Sequence, residues 1–205
     1  MGKIKNDKLV EVIDAGGTVL DDASGLIPLH ITTRQELYDA EFMNMTEATE
    51  HYLFDPRGLN KFEMTRQCLF DIHKKMFYRI WNWAGKKRKS NKNIGVPAYK
   101  IDEELAKFIG DYDFWIKENL KLIEIIAKVH HRLVWIHPFE GGNGRWSRLI
   151  TNIVYFKETK KILQWPEDEL QLKKRSPFRE KYLEALTRAD NGDYKDLIEL
   201  HLCLI

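Results

Sequence analysis

The segment from His137 to Arg148 reads His-Pro-Phe-Glu-Gly-Gly-Asn-Gly-Arg-Trp-Ser-Arg, and it carries residue types that bind anions and move protons. Because a proline disfavours helical geometry in the residue before it, Pro138 predicts that the preceding helix ends near His137. A histidine held at a helix end can act as a general base, since its ordinary pKa of about 6.5 suits proton abstraction near neutral pH. We therefore predict that His137 is a catalytic base.

The rest of this segment has the composition of a phosphate site. Glycine, and to a lesser extent asparagine, permits backbone conformations that aim successive N–H groups into one concavity. A helix is predicted to begin near Gly144, and its first N–H groups favour an anion. Two arginines three residues apart lie on one side of its first turn, where a cation opposes the helix dipole unless something negative binds. The predicted polyphosphate-binding residues are Gly142, Asn143, Gly144, Arg145 and Arg148.

Apolar residues at helical spacing predict the elements that position this segment. The predicted helices cover approximately residues 33–54, 61–80, 105–116, 123–134, 144–156 and 178–189, and Thr33 with Glu36 has capping-box spacing. Residues 86–97 lack helical periodicity, and a short hairpin is one conformation open to them. The sequence therefore predicts a mainly α fold, with an irregular N-terminal arm (1–32) followed by a single domain (33–205).

Composition excludes some classes of function. The net charge is only +2 although 31% of the residues are charged, so a broad basic field for nucleic acid is not expected. The sequence has neither a signal-like apolar run nor one of membrane-spanning length. Cys68 and Cys203 are far apart and are expected to be buried free thiols, which suits a reducing, cytoplasmic location. For the basic stretch 86–92, a solvated loop and a contact with nucleic acid or an acidic partner remain equally open.

The central segment resembles the signature of the Fic family, which reads HPF, any residue, Asp or Glu, GNGR, two residues, Arg. The matching positions are His137, Pro138, Phe139, Gly142, Asn143, Gly144, Arg145 and Arg148. The segment from Ile72-His73 to Trp83-Ala84-Gly85 and Arg88 is similar to the helix and the AG-x-x-R step that precede the flap in the family. Residues 90–97 and 26–28 resemble the branch of this family called mobile mystery protein B.

The resemblance implies a Fic-type helical core with a short β-hairpin flap, and transfer of AMP from ATP to a hydroxyl side chain of a target protein. It implies that His137 deprotonates that hydroxyl, that Phe139 anchors the loop, and that the two arginines hold the outer phosphates. The flap residues that would align the target by strand pairing are Asn93, Ile94, Gly95 and Val96. Association within the branch implies a helix-turn-helix regulatory partner.

The sequence departs from the signature at the position of the metal-binding acid, which here is Gly141. Glu140 is the adjacent carboxylate and the candidate protein ligand for Mg²⁺; without it, the metal would rest mainly on phosphate oxygens and water. The departure leaves three alternatives open. They are weak AMP transfer, transfer of another group such as phosphate or a different nucleotide, and a catalytically weak fold that binds nucleotide or a partner as a regulator.

A second resemblance concerns regulation. Many Fic proteins carry an inhibitory helix with Ser or Thr, three residues, and then Glu followed by Gly or Asn. Thr46 and Glu50 have that spacing, but His51 follows them. A surface acid is one interpretation of Glu50. The other is an inhibitory residue that pairs with Arg148 and obstructs the outer phosphate.

Overall fold

The computed structural model describes residues 25–28, 30–31, 34–166 and 176–205. Within them the chain is mainly helical, as predicted. The α-helices in chain order are α1 (Arg34–Thr49), α2 (Pro56–Leu59), α3 (Arg66–Phe77), α4 (Ile101–Lys117), α5 (Leu122–Ile136), α6 (Asn143–Thr159), α7 (Pro177–Asp190) and α8 (Lys195–Leu202). A π-helical turn follows α1 (Glu50–Phe54), and a short 3₁₀ turn precedes α4 (Ala98–Lys100).

The centre of the fold is the packing of α5 against α6. The side chains of Ile126, Leu133 and Ile136 on α5 are fully buried, as are those of Ile150 and Ile153 on α6. Their spacing of three and seven residues places them on one face of each helix, so the two faces bury each other. The predicted catalytic segment is the connection between these two helices, and both of its ends are therefore fixed in the core.

Local hydrogen bonds explain where the observed helices differ from the predicted ones. The predicted helix 61–80 begins only at Arg66, because the Thr65 side chain accepts a hydrogen bond from the N–H of Cys68 and so caps α3. Between the first two predicted helices, the Asp55 side chain accepts from the N–H of Arg57 and so caps the short helix α2. Helix α8 was not predicted, and the proposed Thr33 capping box lies outside the described residues.

The expected β-hairpin flap is not present in this structure. Among the described residues, the β pairing consists of an isolated bridge between Leu26 and Trp81. The segment 86–97 instead folds around the buried guanidinium of Arg88, which donates to the carbonyls of Ser90 (2.8 Å) and Val96. These carbonyls face a side chain of their own segment, so they are not available for a ladder with a facing strand.

The described end of the N-terminal arm is attached to the core beside α3. The N–H of Ile27 donates to the carbonyl of Ile80, and the N–H of Asn82 donates to that of Gly25, both at 2.8 Å. Cys68 is half-buried, whereas Cys203 is exposed, contrary to expectation, because α8 ends just before it. In the part of the chain that the structure describes, no helix is both long and apolar enough to cross a membrane.

Candidate active site

His137 lies immediately after the last residue of α5, in the left-handed conformation (φ 51°, ψ 61°). Its side chain is buried, and its Nδ1 lies 3.3 Å from the carbonyl oxygen of Val134. Because a carbonyl only accepts, Nδ1 carries the proton in this contact and Nε2 is left to accept one. Burial lowers the pKa of His137 to about 4, and the hydrogen bond to Val134 partly opposes this effect. The histidine is therefore a neutral, oriented base at neutral pH.

The main chain around His137 is held by Arg88, a residue to which the sequence gave no role of its own. Its Nε donates to the carbonyl of His137 (2.7 Å), and its main-chain N–H donates to the carbonyl of Pro138 (2.9 Å). The same guanidinium fixes the 86–97 segment, as described above. One buried cation thus joins the segment to the catalytic loop, and its charge further lowers the pKa of His137.

Of the expected flap residues, two contact the site and two face solvent. A Cβ at Gly95 would lie 2.4 Å from the Cβ of His137, so the backbone approaches the histidine as closely as a glycine allows. Val96 is buried, and its carbonyl accepts from Arg88. Asn93 and Ile94 are exposed on the outer side of this loop.

Phe139 anchors the catalytic loop in the core, as the resemblance implies. It is fully buried, stacks on His73 with 3.6 Å between ring centroids, and meets the edge of Trp146 at 4.9 Å. The Asn143 side chain closes the loop, since it accepts from the N–H of Phe139 (3.0 Å) and donates to its carbonyl (2.9 Å). The side-chain amide of Asn143 therefore shapes the loop, which leaves its main-chain N–H as the candidate donor to an anion.

Gly142 forms the turn into α6. It adopts φ +74°, and a Cβ there would lie 2.5 Å from the Phe77 ring, so both the conformation and the space require glycine. The N-cap residue of α6 is Gly142, which has no side chain with which to cap the helix. The first helical N–H groups, including that of Gly144, therefore point out of the helix towards the loop.

The two arginines of the first turn lie in different surroundings. Arg145 donates to the carboxylate of Glu41 on α1 at 2.7 Å, and its guanidinium lies 4.9 Å from the Phe77 ring centroid. Glu41 also accepts from Nε1 of Trp81 at 2.7 Å. Arg148 is buried, and its Nη1 lies 3.3 Å from the position that a Cβ of Gly144 would occupy.

The structure does not bring Glu50 to Arg148. Glu50 is exposed, and no ion pair joins the two within the described ranges. The reason is local: α1 ends at Thr49, and the π-helical turn places Glu50 in a surface pocket with His51 and Lys75. Thr46 is also exposed, and its hydroxyl donates to a carbonyl of its own helix. Glu41, to which the sequence gave no role, is an acid of α1 that contacts a motif arginine.

The residues present do not form the metal site that the resemblance implies. Glu140 is 2.8 Å from the ammonium of Lys92, and the carbonyl of Gly141 accepts from Nε2 of His73 at 3.0 Å. No group of three or more acidic, histidine or cysteine side chains with metal-binding geometry occurs in the described part of the chain.

His73 is a site residue. The sequence places it in a segment that resembles the family but predicts no role for it. Its Nδ1 accepts from the N–H of Gly85 (2.9 Å), while its Nε2 donates to the Gly141 carbonyl. Burial lowers the pKa of His73 to about 3, which keeps the ring neutral and able to make both bonds. The sequence indicates only that His73 lies in the helix that precedes Trp83-Ala84-Gly85. Its contact with the catalytic loop is visible only in the folded structure.

The comparison with protein families identifies the core of this chain. The Fic/DOC family matches residues 63–155, which run from just before α3 into α6. Residues 63–155 are therefore similar to a Fic/DOC domain. The protein adenylyltransferase Fic of Nematostella vectensis is 29% identical over 119 residues, covering 56% of this chain and 26% of that protein. That of Drosophila virilis is 24% identical, covering 68% and 28%. The chain thus spans about a quarter of the length of these curated relatives.

Solved Fic structures have the same fold as this chain. Fic-1 of C. elegans superposes with a TM-score of 0.68 at 20% identity, over 87% of this chain and 51% of that one. BepC of Bartonella tribocorum, solved with AMPPNP bound, gives a TM-score of 0.62 at 16% identity, over 85% and 88%. An N-terminal Fic domain from Bartonella quintana, solved with ADP bound, gives 0.61 at 18% identity, over 86% and 87%.

Proposed function

We propose that this Fic/DOC domain transfers AMP from ATP to a hydroxyl side chain of a target protein. The observation that carries the proposal is the position of His137. It is a neutral histidine with Nδ1 engaged, and it is separated by one short loop from a helix N-terminus whose N-cap residue is a glycine. The names of the curated relatives and the nucleotides in the neighbouring structures support the same reaction.

The proposed AMP transfer makes one bond to phosphorus and breaks another. The target hydroxyl oxygen forms a bond to the α-phosphorus of ATP, while the bond from that phosphorus to the bridging oxygen of the β-phosphate breaks. Nε2 of His137 takes the hydroxyl proton, and pyrophosphate leaves with the electron pair of the broken bond. Main-chain N–H groups at the start of α6 and the charges of Arg145 and Arg148 stabilise the negative charge on the phosphates.

The proposal also includes a target-binding surface, a regulatory partner and a cellular location. The exposed outer side of the 86–97 segment, at Asn93 and Ile94, lies next to Gly95 and so within reach of His137. We propose that the target segment binds along this side. The likeness to mobile mystery protein B supports a helix-turn-helix regulatory partner. The expected free thiols support a cytoplasmic location.

Separate reactions with α-labelled and γ-labelled ATP test the proposal. The protein is incubated with each nucleotide and a lysate as the source of target, and labelled protein is separated and counted. Label from the α position alone is the expected result. Label from the γ position alone would show that the protein transfers phosphate and not AMP. Label from neither, with nucleotide binding intact, would instead support a regulator.

A further inference from the structure

Lys92 and Glu140 form an ion pair between the 86–97 segment and the catalytic loop. The Nζ of Lys92 is 2.8 Å from Oε2 of Glu140, and the two side chains are only 16% and 31% exposed. Lys92 is also close enough to His137 for its charge to lower the pKa of that histidine. A positive charge fixed by the protein therefore lies beside both the base and the loop that carries Gly141.

The position at which the family's metal-binding acid would stand is buried and lies against an aromatic ring. Gly141 is buried, and its carbonyl is held by His73. A Cβ at Gly141 would lie 3.1 Å from the Trp83 ring, which is tighter than ordinary contact. The chain thus has a glycine in place of the carboxylate and an aromatic ring close to where the side chain would begin, while the neighbouring acid, Glu140, pairs with a lysine.

We infer that Lys92 supplies to the bound polyphosphate the positive charge that a metal ion supplies in relatives with the acid, and that this chain binds nucleotide without requiring Mg²⁺. The inference rests on the proposed function for the identity of the ligand, a nucleoside triphosphate. Glu140 is the anion that pairs with this ammonium before nucleotide binds, and it competes with phosphate for it.

The chemistry of the lysine suits this role. An ammonium is a compact point charge with three donors, and lysine is a common phosphate ligand in nucleotide sites. The low exposure of Lys92 reduces screening by water, so its charge acts more strongly on a phosphate than that of a surface lysine. A phosphate oxygen joining the contact with Glu140 would place one cation between two anions, as a bridging metal ion does.

Calorimetric titration with AMPPNP, in excess EDTA and then in excess Mg²⁺, tests the inference without requiring transfer. The parent is expected to bind in EDTA within about threefold of its affinity in Mg²⁺, a difference below 1 kcal/mol. Lys92→Met keeps the apolar stem and removes the charge, and should weaken binding in EDTA about tenfold or more. Lys89→Met, an exposed lysine of the same segment, is the matched control and should bind like the parent.

Glu140→Gln distinguishes a phosphate ligand from a structural ion pair. If Lys92 binds phosphate, removing the competing charge of Glu140 should leave binding in EDTA equal to the parent or tighter. Thermal unfolding of each variant confirms that it is folded. A parent that binds only with Mg²⁺, or a Lys92→Met protein that binds like Lys89→Met, would overturn the inference. If AMPPNP binds through Lys92 and no label is transferred, the proposed reaction fails while this inference stands.

Discussion

At the scale of the residue, the site depends on buried polar side chains that hold main-chain groups rather than substrate. Arg88 fixes the carbonyl of His137, Asn143 fixes both polar groups of Phe139, and His73 fixes the carbonyl of Gly141. Each removes freedom from the loop before any nucleotide binds. Such preorganisation makes fixed donors and bases effective, because they need not reorient during the reaction.

The close approach of Gly95 to His137 predicts that a methyl group added at Gly95 will disturb the site. Gly95→Ala places a Cβ 2.4 Å from that of His137 at φ +92°, so the 86–97 segment must move away from the histidine. We expect a loss of about 1–3 kcal/mol in the free energy of unfolding and a marked loss of AMP transfer. Denaturant unfolding and the α-label assay measure the two effects.

Gly110→Ala is the matched control. Gly110 lies inside α4 with nothing within 4 Å of its Cβ position, so alanine there should stabilise the protein by about 0.5–1 kcal/mol. Equal effects of the two substitutions would show that the approach of Gly95 to His137 is not a constraint.

Individual site residues could be predicted from sequence to the extent that they are neighbours in the chain. Pro138 and the glycines predict a helix end, a turn and a helix start, and these are observed around His137. Contacts between distant segments could not be derived in this way. Glu41 meets Arg145 across 104 positions of the chain, and no local pattern distinguishes it from other acids of α1.

At the scale of the element, α1 closes one side of the candidate site. It packs against α3, and the carboxylate of Glu41 reaches past the Trp81 indole to Arg145. A phosphate that binds Arg145 must compete with this carboxylate. If Arg145 binds phosphate as proposed, we expect α1 to oppose nucleotide binding, through a different acid and a different arginine from those that the resemblance implies.

Glu41→Gln is expected to tighten nucleotide binding. Glutamine keeps an acceptor for Trp81 and removes the negative charge, so the carboxylate no longer competes with phosphate for Arg145. A charge-assisted hydrogen bond of this kind corresponds to roughly tenfold in affinity. Calorimetric titration with AMPPNP measures the change, and Glu50→Gln, at the exposed end of the same segment, is the control. Unchanged affinity in Glu41→Gln would mean that Arg145 does not bind phosphate.

Elements with a strong apolar period were predictable, and elements set by single side chains were not. The period of α5 and α6 follows from the face that each buries against the other, so their positions are close to those expected. The hairpin prediction was wrong because the segment folds around Arg88, an interaction without a sequence period.

At the scale of the whole molecule, several histidines are buried in the neutral form. Burial lowers the pKa of His73 to about 3 and those of His137 and His201 to about 4, and it also lowers that of His130. In the unfolded chain these groups titrate near their ordinary pKa of about 6.5. Between pH 6.5 and about 4 the unfolded state therefore binds protons that the folded state does not.

Stability is consequently expected to fall on acidification within that window. Each such histidine contributes a loss of about 1.4 kcal/mol per pH unit once the pH is well below 6.5. Urea unfolding at a series of pH values measures the slope. His201→Gln should reduce this slope by the contribution of one proton, about 1.4 kcal/mol per pH unit. His30→Gln, at an exposed site, is the control. A free energy of unfolding that is constant from pH 6.5 to 5 would contradict the assignment of these histidines as neutral.

The most direct test of the account replaces the base and follows two quantities. His137→Ala removes the imidazole, and His137→Asn removes it with a residue that tolerates the left-handed conformation observed there. Because the imidazole acts on the hydroxyl and not on the phosphates, both variants should transfer α-label about 10²–10⁴-fold more slowly than the parent and bind AMPPNP with nearly parental affinity. Transfer at the parental rate in the asparagine variant would contradict the assignment of His137 as the catalytic base.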